Sequence, residues 1–118
     1  MSKRAAGGRN PAHILFEKHL TELGIPIVKE VRFHPLRKWR WDYVVYQQYP
    51  YNSHGKIAIE IDGFHNGRHG AGWGADNDKQ NAGIMDGWMV LRFSTTDVLR
   101  GRAKAFLQQH LGQKGREG

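Results

Sequence analysis

Residues 56 to 62, read as KIAIEID, constrain this chain more than any other stretch. Strand alternation places Ile57, Ile59 and Ile61 on one face and Ala58, Glu60 and Asp62 on the other. A strand this apolar reads as buried, so it requires sheet neighbours, and it carries two acids into that setting. Beyond it, residues 63 to 74 hold five glycines without periodicity and predict a long, mobile loop.

The flanking segments supply the neighbours. Asn10 before Pro11 is a helix start, and Phe16, Leu20 and Leu23 repeat at helical spacing until Gly24, predicting a helix over 11–23. After the break at 24–26, IVKEVRF (27–33) predicts a strand, and Pro35 favours a turn. In KWRWDYVVY (38–46), Trp39, Trp41, Tyr43 and Val45 share one face and Arg40, Asp42, Val44 and Tyr46 the other, with at least one of the two tryptophans expected in the core. QQYPYNSHG reads as an exposed loop. Residues 75–86 predict a second helix stopped by Gly87, WMVLRF a buried strand with Trp88 packed beneath it, and residues 94–111 one capped C-terminal helix. The order αβββαβα predicts an α/β fold, a small mixed sheet with helices packed on it, and a parallel crossover from the third strand to the fourth. A chain of 118 residues with 39% apolar content suits one domain over 11–111, with a flexible basic arm at 1–10 and a disordered tail at 112–118.

The absence of cysteine excludes disulfides and thiolate zinc sites, points to a reducing compartment, and leaves oxygen and imidazole as metal ligands. No apolar run approaches the ~20 residues that span a bilayer, and MSKRAAGGRN lacks the apolar segment of a signal peptide. These features predict a soluble cytoplasmic protein with no membrane partner. A net charge of +7 fits a polyanionic partner, above all nucleic acid, better than a merely soluble basic surface. Arg32, Arg37, Lys38 and Arg40 crowd around Trp39 and Trp41, which sharpens that expectation.

Asp42 and Glu60 lie 18 positions apart. If their strands pair as a hairpin, both carboxylates fall on one face near one end of the sheet. With Asp62 they would make a hard-oxygen site for magnesium or manganese, ions that can activate water and stabilise charge on a phosphate. The structural alternative pairs each acid with one of the many arginines. A zinc site on His65-x-x-x-His69 would need a helix, and NGRHG is a poor one; an HNH-type finger would leave the strand acids unexplained.

RWDYVV, KIAIEIDGFH, Asp76-x-x-Lys79 and GWMVLRF together resemble the PD-(D/E)xK nuclease superfamily. The similarity is greatest to small phage and bacterial domains related to the very-short-patch repair endonuclease, with Holliday-junction resolvases more distant. It covers residues 11 to about 99 and implies a restriction-endonuclease-like αβββαβ core followed by the C-terminal helix. It implies that Asp42 and Glu60 are metal ligands. The family lysine two positions after the glutamate is Asp62 here, so the resemblance directs the assisting role to His65 first and to Lys79 second. It also implies an acid from the first helix, with Glu17 as candidate beside Glu22 and Glu30. His69 and Asp76 are further candidates, and Arg37, Lys38, Arg40, Arg68 and Trp73 are expected at the nucleic acid, Trp73 by stacking on an unpaired base from the glycine-rich loop.

The expected activity is metal-dependent hydrolysis of DNA by an endonuclease using Mg2+ or Mn2+, on branched or distorted duplexes, as in a phage-type Holliday-junction resolvase. A homodimer stays open. The rival expectations are a non-catalytic DNA-binding module on a nuclease fold and a nuclease subunit whose partner supplies specificity.

Overall fold

A computed structural model of the chain describes residues 10–47, 55–63 and 71–112, with the backbone alone for 71–76. The elements run α1 (Pro11–Leu23), β1 (Val28–Arg32), β2 (Arg40–Val45), β3 (Ile57–Asp62), α2 (Ala71–Met85), β4 (Met89–Ser94), α3 (Thr95–Leu99) and α4 (Arg102–Leu111). The four strands form one sheet in the order β1-β2-β3-β4. Contacts group the chain into two compact units, Met1–Pro26 with Phe93–Gly118 and Ile27–Arg92. Their boundary falls inside β4, between Arg92 and Phe93, where no linker composition marks it.

In the first unit, the Asn10 side chain accepts the Ala12 N–H at 2.7 Å and starts α1. Gly24, at φ 72°, ends it, and the amides of Gly24 and Ile25 return to carbonyls of the last turn. Ala12, Phe16 and Leu20 are buried, as are Val98, Ala103, Leu107 and Leu111 of α3 and α4. The single helix expected over 94–111 is two. Ser94 and Asp97 close a reciprocal capping box on α3, and the chain turns at Arg100 and Gly101 before α4. Gly101 sits at φ 77°, a left-handed conformation that glycine adopts without strain, so the pattern of apolar residues continues while the helix axis does not.

In the second unit, β1–β2 and β2–β3 are antiparallel, in registers that include Val31↔Trp41 and Tyr43↔Ile59. The Met89 N–H donates to the Lys56 carbonyl at the starts of β4 and β3, and Arg92 meets Asp62 at their far ends, so these two strands run in the same direction and the sheet is mixed. Ile57 through Ile61 are all buried, so β3 is covered on both faces. Trp41, Val44, Ala58 and Trp88 form a core cluster with Val31, Phe33 and Val90 packed on it.

α2 begins at Ala71, inside the stretch expected to be a loop through residue 74. Gly72 and Gly74 each cost about 1 kcal/mol relative to alanine, but extending a helix already nucleated downstream adds a hydrogen bond per residue. The backbone of Trp73 is therefore helical. Gly87, at φ 91°, ends the helix as expected, with the Trp88 N–H returning to the Gly83 carbonyl.

Gly83 determines how α2 lies on β2. A Cβ built there would stand 2.4 Å from the Trp41 ring, so only glycine permits this approach. No helix of the described residues is long and apolar enough to cross a membrane.

Candidate functional site

The register sets Asp42 directly opposite Glu60, one step beyond the pair Tyr43↔Ile59. It also sets Glu30 opposite Asp42, between the pairs Lys29↔Tyr43 and Val31↔Trp41. Three acids thus share one row of the sheet; the β1–β2 ladder skips that row, and the β2–β3 ladder stops short of it. Glu30 takes a left-handed backbone, φ 53°, and its exposed carboxylate lies 3.7 Å from Arg40.

Side chains replace the missing ladder between β2 and β3. The Asp42 N–H donates to Glu60 Oε2 at 3.0 Å, and the Ile61 N–H donates to Asp42 Oδ2 at 2.9 Å. Each strand's carboxylate accepts an amide of the other strand, which holds two like charges face to face. Such a pairing is destabilising without compensation. Lys79 provides it: its Nζ donates to Glu60 Oε1 at 3.0 Å and stands 5.1 Å from the centre of the Trp41 ring. Lys79 lies one helical turn before Gly83, so the close approach of α2 at Trp41 delivers the ammonium to the carboxylate.

Burial, and then the charge of Asp42, push the Glu60 carboxyl above its ordinary value, with Lys79 opposing both. Glu60 is the one buried charged residue among the described residues.

Asp62 follows a different course. Arg92 grips its carboxylate with both prongs, Nε at 3.1 Å and a terminal nitrogen at 2.6 Å, and donates its other nitrogen to Gln80 at 2.8 Å. Asp62 is therefore bound to β4 and α2 through a planar fork. Neither Arg92 nor Gly83 is conspicuous in the sequence as a site residue. The one available signal was a glycine inside a helical pattern, which often marks close backbone approach.

Of the other expected residues, Glu17 is half-buried on α1 in the first unit, and Glu22 is paired there with Lys104 at 2.8 Å. Arg37 lies 4.2 Å over the Trp39 ring, and Lys38 and Arg40 are exposed. His65, Arg68 and His69 lie outside the described residues, as do the side chains of Trp73 and Asp76.

Among the described residues, no three His, Asp or Glu side chains form a ready metal cluster. Asp42 and Glu60 nevertheless suit magnesium or manganese, which need only one or two protein carboxylates and keep several waters. The Asp42 charge that faces Glu60, second to burial in raising its carboxyl, is the part that a cation held between the two acids would offset. Comparisons with protein-family models, curated proteins and solved structures gave no match.

Proposed function

We propose that this protein is a divalent-metal-dependent endonuclease that hydrolyses DNA phosphodiester bonds, with Asp42, Glu60 and Lys79 at its centre. The observation that carries the reading is the interrupted sheet row, where two opposed carboxylates are held by crossed amide bonds and one receives a lysine from α2. The resemblance of RWDYVV and KIAIEIDGFH to the PD-(D/E)xK superfamily supports it, and Lys79 meets Glu60 in a chain whose string lacks the superfamily lysine.

Asp42 and Glu60 would hold Mg2+ or Mn2+, which supplies Lewis acidity toward the phosphate and lowers the pKa of bound water. Lys79 fixes the orientation of Glu60 and brings positive charge to the site of a phosphate. The crossed amides hold both carboxylates in place before any substrate arrives. Arg37, Lys38 and Arg40 grip the backbone, and a domain that holds DNA chiefly by its phosphates selects shape. A four-way junction leads the candidate substrates.

The test is cleavage of a four-way junction, a mismatched duplex and a linear duplex with each metal, by the wild type and by Asp42→Asn and Glu60→Gln. Both variants should lose more than about 100-fold in rate, since even groups behind metal ligands contribute 10- to 100-fold. Both should retain DNA binding and a folded thermal transition. Near wild-type cleavage by either variant sinks the assignment.

One observation favours a second reading, a DNA-binding module without catalysis. Glu60 and Asp62 each already have a cation from the chain itself. Under that reading DNA is bound, and no metal or substrate in the panel elicits cleavage.

A further inference from the structure

We infer that the turn joining β1 to β2 is a wedge for nucleic acid, in which Leu36 enters a weakened base step while Arg37 and Lys38 hold the adjoining phosphates. The inference rests on the nucleic-acid part of the reading above and is independent of hydrolysis.

Leu36 is 86% exposed at the tip of the segment FHPLRKW. Single exposed leucines are ordinary, but this one is held out on a rigid support. Nδ1 of His34 accepts the N–H groups of both Leu36 and Arg37 at 3.1 Å. The His34 ring meets Trp39 edge-on at 5.2 Å, and Phe33 stacks on the buried Trp41 at 4.2 Å. Pro35 restricts the backbone between them. An aromatic column thus runs from the core to the turn, so little conformational entropy remains for a partner to remove.

The charge around the tip selects the partner. From Val28 to Arg40 the hairpin carries Lys29, Arg32, Arg37, Lys38 and Arg40 against one acid, Glu30, itself close to Arg40. An apolar side chain one residue wide, followed directly by two cations, matches a base step with its flanking phosphates. A membrane anchor would need a broad apolar face. Beside the tip, an open groove lined by Phe33, His34 and Met85 offers an unstacked base an apolar surface. Asp86, also on that groove, has Lys56 at 3.5 Å, which offsets its repulsion of phosphate. Wedges of this kind act on duplexes already easy to unstack, and so favour branched or mismatched DNA.

The full chain is tested without divalent metal, by anisotropy on a four-way junction and on a linear duplex of the same sequence, with 2-aminopurine beside the branch point. The wild type should prefer the junction and raise 2-aminopurine emission. Leu36→Ser should lose the emission change and roughly 10- to 100-fold of junction affinity, the equivalent of burying one leucine, with little effect on the linear duplex. His34→Ala should lose part of the preference, and His34→Asn, whose amide oxygen can accept the same two N–H groups, should restore it. Junction binding by Leu36→Ser equal to wild type overturns the wedge, as does an equal loss on both DNAs. Leu36-dependent binding to anionic vesicles without DNA binding overturns it as well. Cleavage with Mg2+ is scored separately. If Asp42→Asn abolishes cleavage while Leu36→Ser keeps the junction preference, the wedge alone falls; if Leu36 governs binding in a protein that never cleaves, hydrolysis alone falls.

Discussion

Two lysine–glutamate pairs of almost equal length behave in opposite ways. Lys79–Glu60 spans 3.0 Å with side chains 15% and 10% exposed, and Lys104–Glu22 spans 2.8 Å with side chains 35% and 42% exposed. The hydrogen bond from Lys104 pulls the Glu22 carboxyl below its ordinary value, whereas burial and Asp42 push that of Glu60 above it in spite of Lys79. Distance alone therefore says little about an ion pair. The surroundings decide whether lysine lowers the carboxyl of a surface acid or only partly offsets the burial and the neighbouring charge that raise a buried one.

The largest test of this contrast is Lys79→Met. Removing one partner of a buried pair typically costs roughly 3 to 5 kcal/mol, because the other charge is left without compensation. A urea midpoint at neutral pH should fall accordingly, and the deficit should shrink in acid, where Glu60 can take up a proton. The sign follows from linkage. A carboxyl raised in the folded state contributes stability that is fully present below its unfolded value of about 4.5 and is lost as pH rises through the folded value. A deficit independent of pH would mean that Lys79 acts through packing on Trp41.

Gly83→Ala should have the next largest effect. In an exposed helix this change is stabilising by about 1 kcal/mol, but here the added carbon meets Trp41 at 2.4 Å. Overpacking of that kind costs typically 1 to 3 kcal/mol, so the net result should be destabilising, and the proposed cleavage should fall with it as α2 withdraws Lys79. Unchanged stability would show that α2 can shift without consequence.

Ser94→Ala removes one arm of the capping box and should lower stability by about 1 kcal/mol. The other arm, the Ser94 N–H donating to the Asp97 carboxylate, survives the change and holds that carboxyl below its ordinary value, so its own contribution is present above pH ~3.8 and lost as pH falls through the lowered value. The smallest effect belongs to Lys104→Ala, which should scarcely move the midpoint at neutral pH, as is common for exposed pairs. What stability the pair does give should lie above pH ~4.5 and vanish in acid, opposite in direction to Glu60. A Lys104→Ala loss as large as that of Lys79→Met would collapse the distinction between the two pairs.

Local chemistry made much of the fold legible. The Asn10–Pro11 start and Gly24 stop bound α1, and the alternation of Ile57, Ile59 and Ile61 marks β3, because caps and faces are written in neighbouring residues. The errors arose where local signals compete. The glycines of residues 70–74 argue against a helix that nonetheless extends through two of them, Gly72 and Gly74, and Gly101 breaks an apolar pattern that reads as continuous.

By itself, the sequence determined that acids stand in two successive apolar strands, that the chain is basic, and that the order of elements is α, β, β, β, α, β and then helix. Tertiary structure alone decided that Asp42 and Glu60 oppose each other across an interrupted row, that Lys79 rather than Asp62 meets Glu60, and that Arg92 takes Asp62. Those pairings depend on strand register and on how closely α2 approaches Trp41. Both are set by contacts between residues distant in sequence, which local patterns do not encode.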